Sequence, residues 1–229
     1  MAEQQNILVI LGHPTAESLC AGMARAYGEG ARRAGAQVRF LDVGQLTFNP
    51  LFQGYGAAQP LEPDLLAAQA DITWAHHLVW VYPIWWGAMP ALLKGFIDRV
   101  LLPGYAFKYR KGSSLWDKLL AGRSAELLVT MDSPPWYFRW IYGAPAHRQM
   151  VRTILGFCGI KTRRLTEFAP VRPSSEEQRQ GWLRKAEGLG VFADMLVQIV
   201  GGIGERGEHE DPTVALVDRT LLLVPDGLV

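Results

Sequence analysis

Along the chain, short apolar runs alternate with longer amphipathic stretches. Residues 7–11 read ILVIL without a polar position, and largely apolar runs follow at 77–83 and 124–131. Such continuous runs are typical of strands buried on both faces, as in a parallel sheet. More mixed runs at 37–43 and 161–171 complete a set of five predicted strands.

Helical periodicity fills the intervals between the predicted strands. The first predicted helix carries Leu19, Met23 and Tyr27 on one side and is followed by Gly35, a typical residue after a helix end. Predicted helices cover residues 18–34, 64–75, 90–101, 144–159 and 174–196. Strands that alternate with helices indicate βαβ units. We therefore predict an α/β, flavodoxin-like doubly wound five-stranded parallel sheet with helices on both faces.

The predicted elements occupy one domain, residues 1–200, and leave a different segment at 201–229. With 229 residues the chain is long enough for one sizeable α/β domain. The segment begins with a polar stretch, and its apolar part, 213–224, is shorter than the ~18 residues that span a membrane. We expect this C-terminal extension to pack on a partner subunit. The long predicted loop 44–63 is expected to be functional.

Composition and charge exclude several classes of protein. The 23 basic and 22 acidic residues nearly cancel, which argues against nucleic acid as a partner. The two cysteines form no CxxC pair, and the polar start MAEQQN is unlike a secretory signal, so we expect a cytoplasmic protein. No apolar run suggests membrane insertion, and we expect no metal site.

Ligands of an open parallel sheet bind beyond the carboxyl ends of its strands. The loop after the first predicted strand lacks GxGxxG, because His13 and Pro14 follow Gly12. Its hydroxyls, Thr15 and Ser18, precede a helix whose free N–H groups and dipole favour a phosphate. An equally open alternative is that the hydroxyls only cap the helix and that His13 is a structural loop residue.

Two further loops at the same edge are rich in aromatic residues. The loop after the third strand contains Trp85, Trp86 and Gly87, and the loop 132–142 contains Pro134-Pro135 and a run of aromatics. Aromatic side chains bind planar rings by stacking, although either loop could instead pack in the core or at a subunit interface. A phosphate site between aromatic walls suits a flavin nucleotide.

The same stretches resemble a known family, the flavodoxin-like NAD(P)H:quinone oxidoreductases of the DT-diaphorase and bacterial modulator-of-drug-activity type. The strongest match is YPIWWGAMPALLKGFIDRVLLPGYAFKY, residues 82–109. A second is LVILGHPTAESLCAGM, residues 8–23, and a third is GFCGIK, residues 156–161. The resemblance runs from about residue 5 to 196. It implies a flavodoxin-like fold, a bound flavin and a homodimer.

Carried over to this chain, the resemblance implies a set of flavin-contacting positions. These are His13, Ser18, Leu19, Cys20, Pro83, Ile84, Trp85, Trp86, Gly87, Thr130, Met131, Asp132 and Ser133, and Thr15 joins them as a hydroxyl of the same first loop. It also implies an acceptor pocket at Trp136, Tyr137 and Phe138, in which Tyr137 stands for the tyrosine that some members use in proton handling. Ala144 falls where those members carry a histidine, Cys20 replaces an asparagine, and Asp132 replaces a glycine.

The activity implied is a two-electron, ping-pong hydride transfer from NAD(P)H through flavin N5 to a quinone-like acceptor. We expect FAD, because loop 44–63 could cover an adenine, with FMN as the alternative. The sequence indicates neither a preference for NADH or NADPH nor the physiological acceptor. The alternatives are azoreductase or nitroreductase activity, a regulatory subunit of a transporter, a one-electron flavodoxin, and a domain that binds no flavin.

Overall fold

The computed structural model of the protein describes residues 4–55 and 59–201. Its strands are β1 (Asn6–Leu11), β2 (Gln37–Asp42), β3 (His77–Pro83), β4 (Phe107–Tyr109), β5 (Trp116–Lys118), β6 (Ser124–Thr130) and β7 (Lys161–Phe168). Five of them form a parallel sheet in the order β2-β1-β3-β6-β7, and β4 and β5 form a separate antiparallel pair. The order reverses beside β1 and β3, which is where such sheets bind ligands.

The five predicted strands are confirmed, and burial explains their composition. Every residue of β3 and β6 is buried, as expected for central strands covered on both faces. The last strand ends at Phe168, earlier than the predicted 171. Pro170 lies two residues beyond Phe168, and proline has no N–H to donate to a neighbouring strand. The short hairpin of β4 and β5 was not predicted, because three-residue strands leave no periodic pattern.

The helices follow the strands in alternation. They are α1 (Leu19–Arg33), α2 (Pro63–Trp74), α3 (Ala91–Val100), α4 (Pro135–Trp140), α5 (Pro145–Arg148), α6 (Gly156–Cys158) and α7 (Glu176–Gly201). A 3₁₀ turn covers Val43–Gln45, and a π-helical stretch, Gln149–Leu155, joins α5 to α6. The prediction that 132–142 is all loop was wrong, because α4 lies within it. Proline is well tolerated in the first turn of a helix, and Pro135 begins α4.

Two helical layers cover the sheet. On one face α1 and α7 pack over Ile7, Val9 and Val79. The backbones of the two helices approach closely where Gly30 of α1 and Gly190 of α7 face each other's helix. A Cβ on Gly190 would overlap the Tyr27 carbonyl oxygen, and one on Gly30 would overlap that of Glu187. On the other face α2, α3 and the α5–α6 segment enclose the larger core.

The long loop between the 3₁₀ turn and α2 is fastened to α3 by one buried side chain. The Arg99 guanidinium is 1% exposed and donates to the carbonyls of Asn49 (2.6 Å) and Pro60 (2.9 Å). It also pairs with the Glu62 carboxylate at 2.8 Å. Glu62 in turn accepts from the Asn49 amide at 3.0 Å. The described residues between Gln45 and Pro63 form a loop as predicted, and Arg99 attaches them to α3.

A buried polar network lies near the amino ends of the central strands, away from the carboxyl edge. His77 Nδ1 lies 2.7 Å from the Ser124 hydroxyl, and Arg164 donates to Glu126 at 2.6 Å. Burial lowers the pKa of His77 to about 3 and raises the pKa of Glu126. Tyr27 lies 3.4 Å from both His77 and Glu126. These contacts join α1 to three strands, so the network is structural.

No helix within residues 4–55 and 59–201 combines the length and hydropathy that crossing a membrane requires. The predicted C-terminal extension, apart from Gly201, lies outside the described residues, so its packing on a partner subunit remains a prediction. The division of the chain at residue 200 also remains a prediction.

Candidate functional site

A cavity of about 240 Å³ opens at the carboxyl edge of the sheet, between the ends of β1, β3 and β6. Most of its wall comes from residues predicted to contact a flavin. Its lining residues are His13, Ser18, Leu19, Cys20, Pro83, Ile84, Trp85, Thr130, Met131, Asp132 and Val171. The cavity will be called the inner cavity. Three segments that are far apart in the sequence therefore converge on one space, as their places after parallel strands predicted.

The first wall of the inner cavity is the start of α1. Ser18 is the N-cap residue of this helix, and its hydroxyl accepts a hydrogen bond from the Ala21 amide at 3.1 Å. Ser18 therefore caps α1, and the same residue also lines the inner cavity, so capping does not prevent ligand binding there. The positive end of a fifteen-residue helix dipole faces this space.

His13 and Thr15 have different positions in that loop. The Thr15 hydroxyl and amide lie 3.0 and 3.1 Å from His13 Nδ1, so Thr15 orients the imidazole. The ring of His13 also meets Trp85 edge to face, with centroids 5.6 Å apart. His13 lines the inner cavity and Thr15 does not. Thr15 is thus connected to the inner cavity through its hydrogen bonds with His13.

Cys20 and Thr130 form the floor of the inner cavity. The Cys20 sulfur lies 3.3 Å from the Thr130 hydroxyl, and both side chains are buried. Burial raises the pKa of Cys20 to about 11, so the thiol is neutral at physiological pH. This floor offers a hydroxyl and a thiol to the polar chain of a ligand.

A second cavity of about 1070 Å³ adjoins the first and shares Ile84, Trp85, Met131 and Asp132 with it. It will be called the outer cavity. Its remaining lining residues are Trp86, Gly87, Ser133, Phe138, Ile141, Tyr142, Pro145 and Arg172. The shared residues form a boundary between the two cavities. A planar ring bound at this boundary would be accessible from the inner and from the outer cavity.

Trp85 and Trp86 are held in a two-residue turn. Trp85 and Ala88 exchange both backbone hydrogen bonds, at 2.9 and 3.0 Å, and Trp86 and Gly87 have φ values of 52° and 76°. Two successive positive φ values are the geometry of a type I′ turn. Glycine adopts this geometry freely, but tryptophan pays about 1–2 kcal/mol for it. The turn thus presents the fully exposed Trp86 indole at the rim of the outer cavity.

The predicted acceptor pocket is only partly assembled within one chain. Phe138 is buried and lines the outer cavity, but Trp136 and Tyr137 line neither cavity. They lie on α4, whose helical geometry turns successive side chains in different directions. Tyr137 reaches the outer cavity indirectly. A hydrogen bond between the side chains of Tyr137 and Tyr142 raises the pKa of Tyr142, which does line it.

Helices α4 and α5, which follow the β6 loop, are fixed to the sheet by a partly buried carboxylate. Glu167 of β7 accepts from Arg139 of α4 at 3.0 Å and lies 2.8 Å from Nε2 of His147 of α5. His147 in turn packs edge to face on Phe138. None of these contacts was predicted from the sequence. They hold one wall of the outer cavity in place.

The loop after β7 also belongs to the site, although it was not predicted to. Val171 lines the inner cavity and Arg172 the outer one. This loop also follows a carboxyl end, so the reasoning applied to the other three loops would have found it. The Asp132 carboxylate accepts a hydrogen bond from the Arg172 amide at 2.7 Å. Asp132 therefore helps to join this loop to the loop after β6.

The donor set fits a flavin nucleotide. The capped start of α1 and the Ser18 hydroxyl suit a phosphate, and the Cys20–Thr130 floor suits a polar chain. Trp85 and Met131 at the boundary offer an indole and a thioether to a planar ring. The outer cavity leaves room for a second molecule beside that ring.

Comparison with known proteins agrees with this geometry. A family model described as flavodoxin-like fold matches residues 5–188. A protein of Haemophilus influenzae named uncharacterized NAD(P)H oxidoreductase is 26% identical over 187 residues, which cover 79% of this chain and 92% of that protein. The rat ribosyldihydronicotinamide dehydrogenase [quinone] is 25% identical over 221 residues, covering 81% and 92%. The crystal structure of Smu.1420 from Streptococcus mutans has a TM-score of 0.70 at 28% identity, covering 81% of this chain and 98% of that one.

Proposed function

The chain belongs to this flavodoxin-like family, and from that membership and the two joined cavities we propose that it is a flavin-dependent NAD(P)H oxidoreductase that reduces quinone-like acceptors. The observation that carries the proposal is the shared boundary of the inner and outer cavities. A flavin ring at that boundary would have its phosphate chain in one space and its reacting partners in the other. The names of the Haemophilus and rat relatives support the same activity.

When bound, the flavin would supply the hydride chemistry, and the side chains would supply position and exclusion of water. Ser18 and the first amides of α1 would hold the phosphate, and Trp85 would support the ring. The outer cavity would admit NAD(P)H and then the acceptor in turn, so a ping-pong cycle is expected. The outer-cavity lining contains one tyrosine, Tyr142, whose hydroxyl interacts with Tyr137 and makes the pair our candidate for proton handling.

We propose FMN as the flavin. The expectation of FAD rested on the idea that loop 44–63 covers an adenine. The described part of that loop, residues 44–55 and 59–63, is fastened to α3 by Arg99, and none of these residues lines the inner or the outer cavity. The inner cavity, at about 240 Å³, also suits one phosphate and its ribityl chain better than a dinucleotide.

The decisive measurement is a visible absorption spectrum of the purified protein, followed by mass analysis of what heat releases. We expect flavin absorption, release of FMN, and oxidation of NADH or NADPH that depends on added menadione. A protein that stays colourless after incubation with FMN and FAD would contradict the proposal. Flavin binding without any NAD(P)H turnover would instead favour a carrier or a regulatory subunit.

We also propose that the protein acts as a homodimer. Trp86, Trp136, Trp140, Ile141 and Tyr142 are all exposed, three of them by 60% or more. They lie on the turn after β3 and on α4 and its end, beside the outer cavity. Contiguous exposed apolar surface of this kind marks interaction sites. A second copy packed there would bring Trp136 and Tyr137 towards an active site.

Replacement of Trp86 by Asn tests the dimer. Asn adopts positive φ more readily than Trp, so the free energy of unfolding of the protomer should rise by about 1 kcal/mol or stay unchanged. Loss of the indole should nevertheless shift the protein from dimer to monomer at micromolar concentration, as measured by light scattering. Leu66→Asn removes a side chain that is 54% exposed on α2 and should leave the dimer intact. A parent protein that is monomeric would contradict the proposal.

A further inference from the structure

We propose that the guanidinium of Arg172 binds a phosphate group of the hydride donor, so that the site selects phosphate-bearing nicotinamide nucleotides over dihydronicotinamide riboside. The inference rests on the proposed function and adds a residue that decides which donor is used. Arg172 lines the outer cavity, where a donor would enter.

Arg172 supplies a permanent positive charge to the site. Among the described residues that line the inner and outer cavities, it is the only Arg or Lys, and Asp132 is the only Asp or Glu. The rest of the outer wall is mainly aromatic and aliphatic. A donor that carries phosphates thus meets a single cation, and it meets that cation away from the α1 N-terminus that suits the flavin phosphate.

The loop that carries Arg172 is built rigidly into the site. The Met131 amide donates to the Phe168 carbonyl at 3.3 Å, and the Val171 amide donates to the Met131 carbonyl at 3.1 Å. The Asp132 carboxylate then accepts from the Arg172 amide at 2.7 Å. On the other side, the Val171 carbonyl accepts from the Ser174 amide at 3.1 Å. The backbone of Arg172 is therefore placed before any ligand arrives.

The side chain of Arg172 remains available for a ligand. It is exposed, and within the described part of the chain its guanidinium forms no ion pair with a carboxylate. The nearby Asp132 carboxylate already accepts from the Arg172 backbone. A guanidinium matches a phosphate through paired N–H groups, and such charge-assisted bonds are the stronger class of hydrogen bond.

The size of the outer cavity is consistent with a nucleotide. At about 1070 Å³ it lies at the upper end of the range for small-molecule sites. A nicotinamide stacked at the boundary beside Trp85 leaves the remainder of the cavity for its ribose and phosphates. Arg172 lines that remainder, since it does not line the inner cavity.

The test compares four donors with one acceptor, menadione: NADPH, NADH, reduced nicotinamide mononucleotide and dihydronicotinamide riboside. In Arg172→Gln, kcat/KM for donors that carry the contacted phosphate should fall about tenfold. The riboside should be used as well as by the parent. Arg172→Lys should recover part of the loss. Calorimetric binding of NADP⁺ to the flavin-loaded protein should weaken by a similar factor, which gives a measure independent of turnover.

Arg25→Gln is the matched control. Arg25 is exposed on α1, lines neither the inner nor the outer cavity, and loses the same charge on substitution. It should leave all four donors unaffected. A comparable loss in Arg25→Gln would mean that general charge attraction, and not a contact at Arg172, explains the effect.

The pattern across donors separates the outcomes. A fall with NADPH alone assigns the 2′-phosphate, and a fall that includes the mononucleotide assigns the phosphate next to the nicotinamide riboside. An equal loss with the riboside, unchanged kinetics, or a lowered flavin content in Arg172→Gln would each overturn the inference. If the parent oxidises none of the four donors, the proposed function fails as well, whereas the other negative results leave it standing.

Discussion

Ser18→Asp is expected to abolish flavin retention while leaving the fold intact. Ser18 has two roles that this substitution separates, since it caps α1 through the Ala21 amide and also lines the inner cavity. Asp caps helices as well as Ser does, and its charge interacts favourably with the helix dipole. A bound phosphate would meet that carboxylate at close range. Like charges about 4 Å apart repel by about 4 kcal/mol at an effective dielectric constant of 20.

Exposure of Ser18 to solvent reduces this repulsion, so we expect the Kd for FMN to rise about a hundredfold or more. The measurement is a fluorescence titration of the flavin-free protein with FMN, beside thermal unfolding by circular dichroism. Ser175→Asp provides the control, because the Ser175 hydroxyl accepts from the Gln178 amide in the same manner at the start of α7. Normal FMN affinity in Ser18→Asp would place the phosphate elsewhere.

Gly190→Ala is expected to destabilise the protein by about 2–3 kcal/mol or more. A methyl group at this position would overlap the Tyr27 carbonyl oxygen of α1. The clash is with a backbone atom, which cannot move out of the way by a change of rotamer as the end of a flexible side chain can. The two helices would have to separate along a contact that covers one face of the sheet, and overpacking of this kind is costly. The loss should appear as a lower free energy of unfolding in urea.

Gly188→Ala, two residues earlier in α7, should have the opposite effect. A Cβ at Gly188 meets no atom within 4 Å. Alanine there only improves the helical propensity, by about 1 kcal/mol, and should stabilise the protein. Equal effects of the two substitutions would mean that α1 and α7 do not approach through Gly190.

Local sequence signals predicted the framework of the site well. Buried strands of a parallel sheet are apolar throughout, so β1 and β3 could be read directly from ILVIL and HLVWVYP. The Ser18 cap and the end of α1 near Gly35 follow from the chemistry of helix ends. Because all five strands run parallel, their following loops had to meet at one edge. The individual residues came from the family resemblance, which implied ten of the eleven that line the inner cavity.

Local sequence signals were less informative where side-chain direction or distant contacts decide. The family resemblance implied Trp136 and Tyr137 as pocket residues, but within one chain they lie on α4 and line neither cavity, so their place in the pocket stays a prediction that depends on the proposed dimer. That loop 44–63 could cover an adenine stays a prediction, whereas the attachment of its described part to α3 through the buried Arg99 was not predicted. Arg99 lies 50 residues from Asn49 in the chain, and no local pattern reports a contact of that range.

By itself, the sequence determined the type of fold, the edge of the sheet that carries the site, and the chemistry of the residues at that edge. These properties depend on hydrophobic periodicity, helix capping and parallel topology, which short segments of the sequence indicate. The tertiary structure alone decided that Arg172 joins the outer cavity, that Gly30 and Gly190 allow two helices to touch, and that Trp86 stands exposed at positive φ. Each of these depends on how separate elements pack, because a side chain's neighbours in space are set by the whole fold.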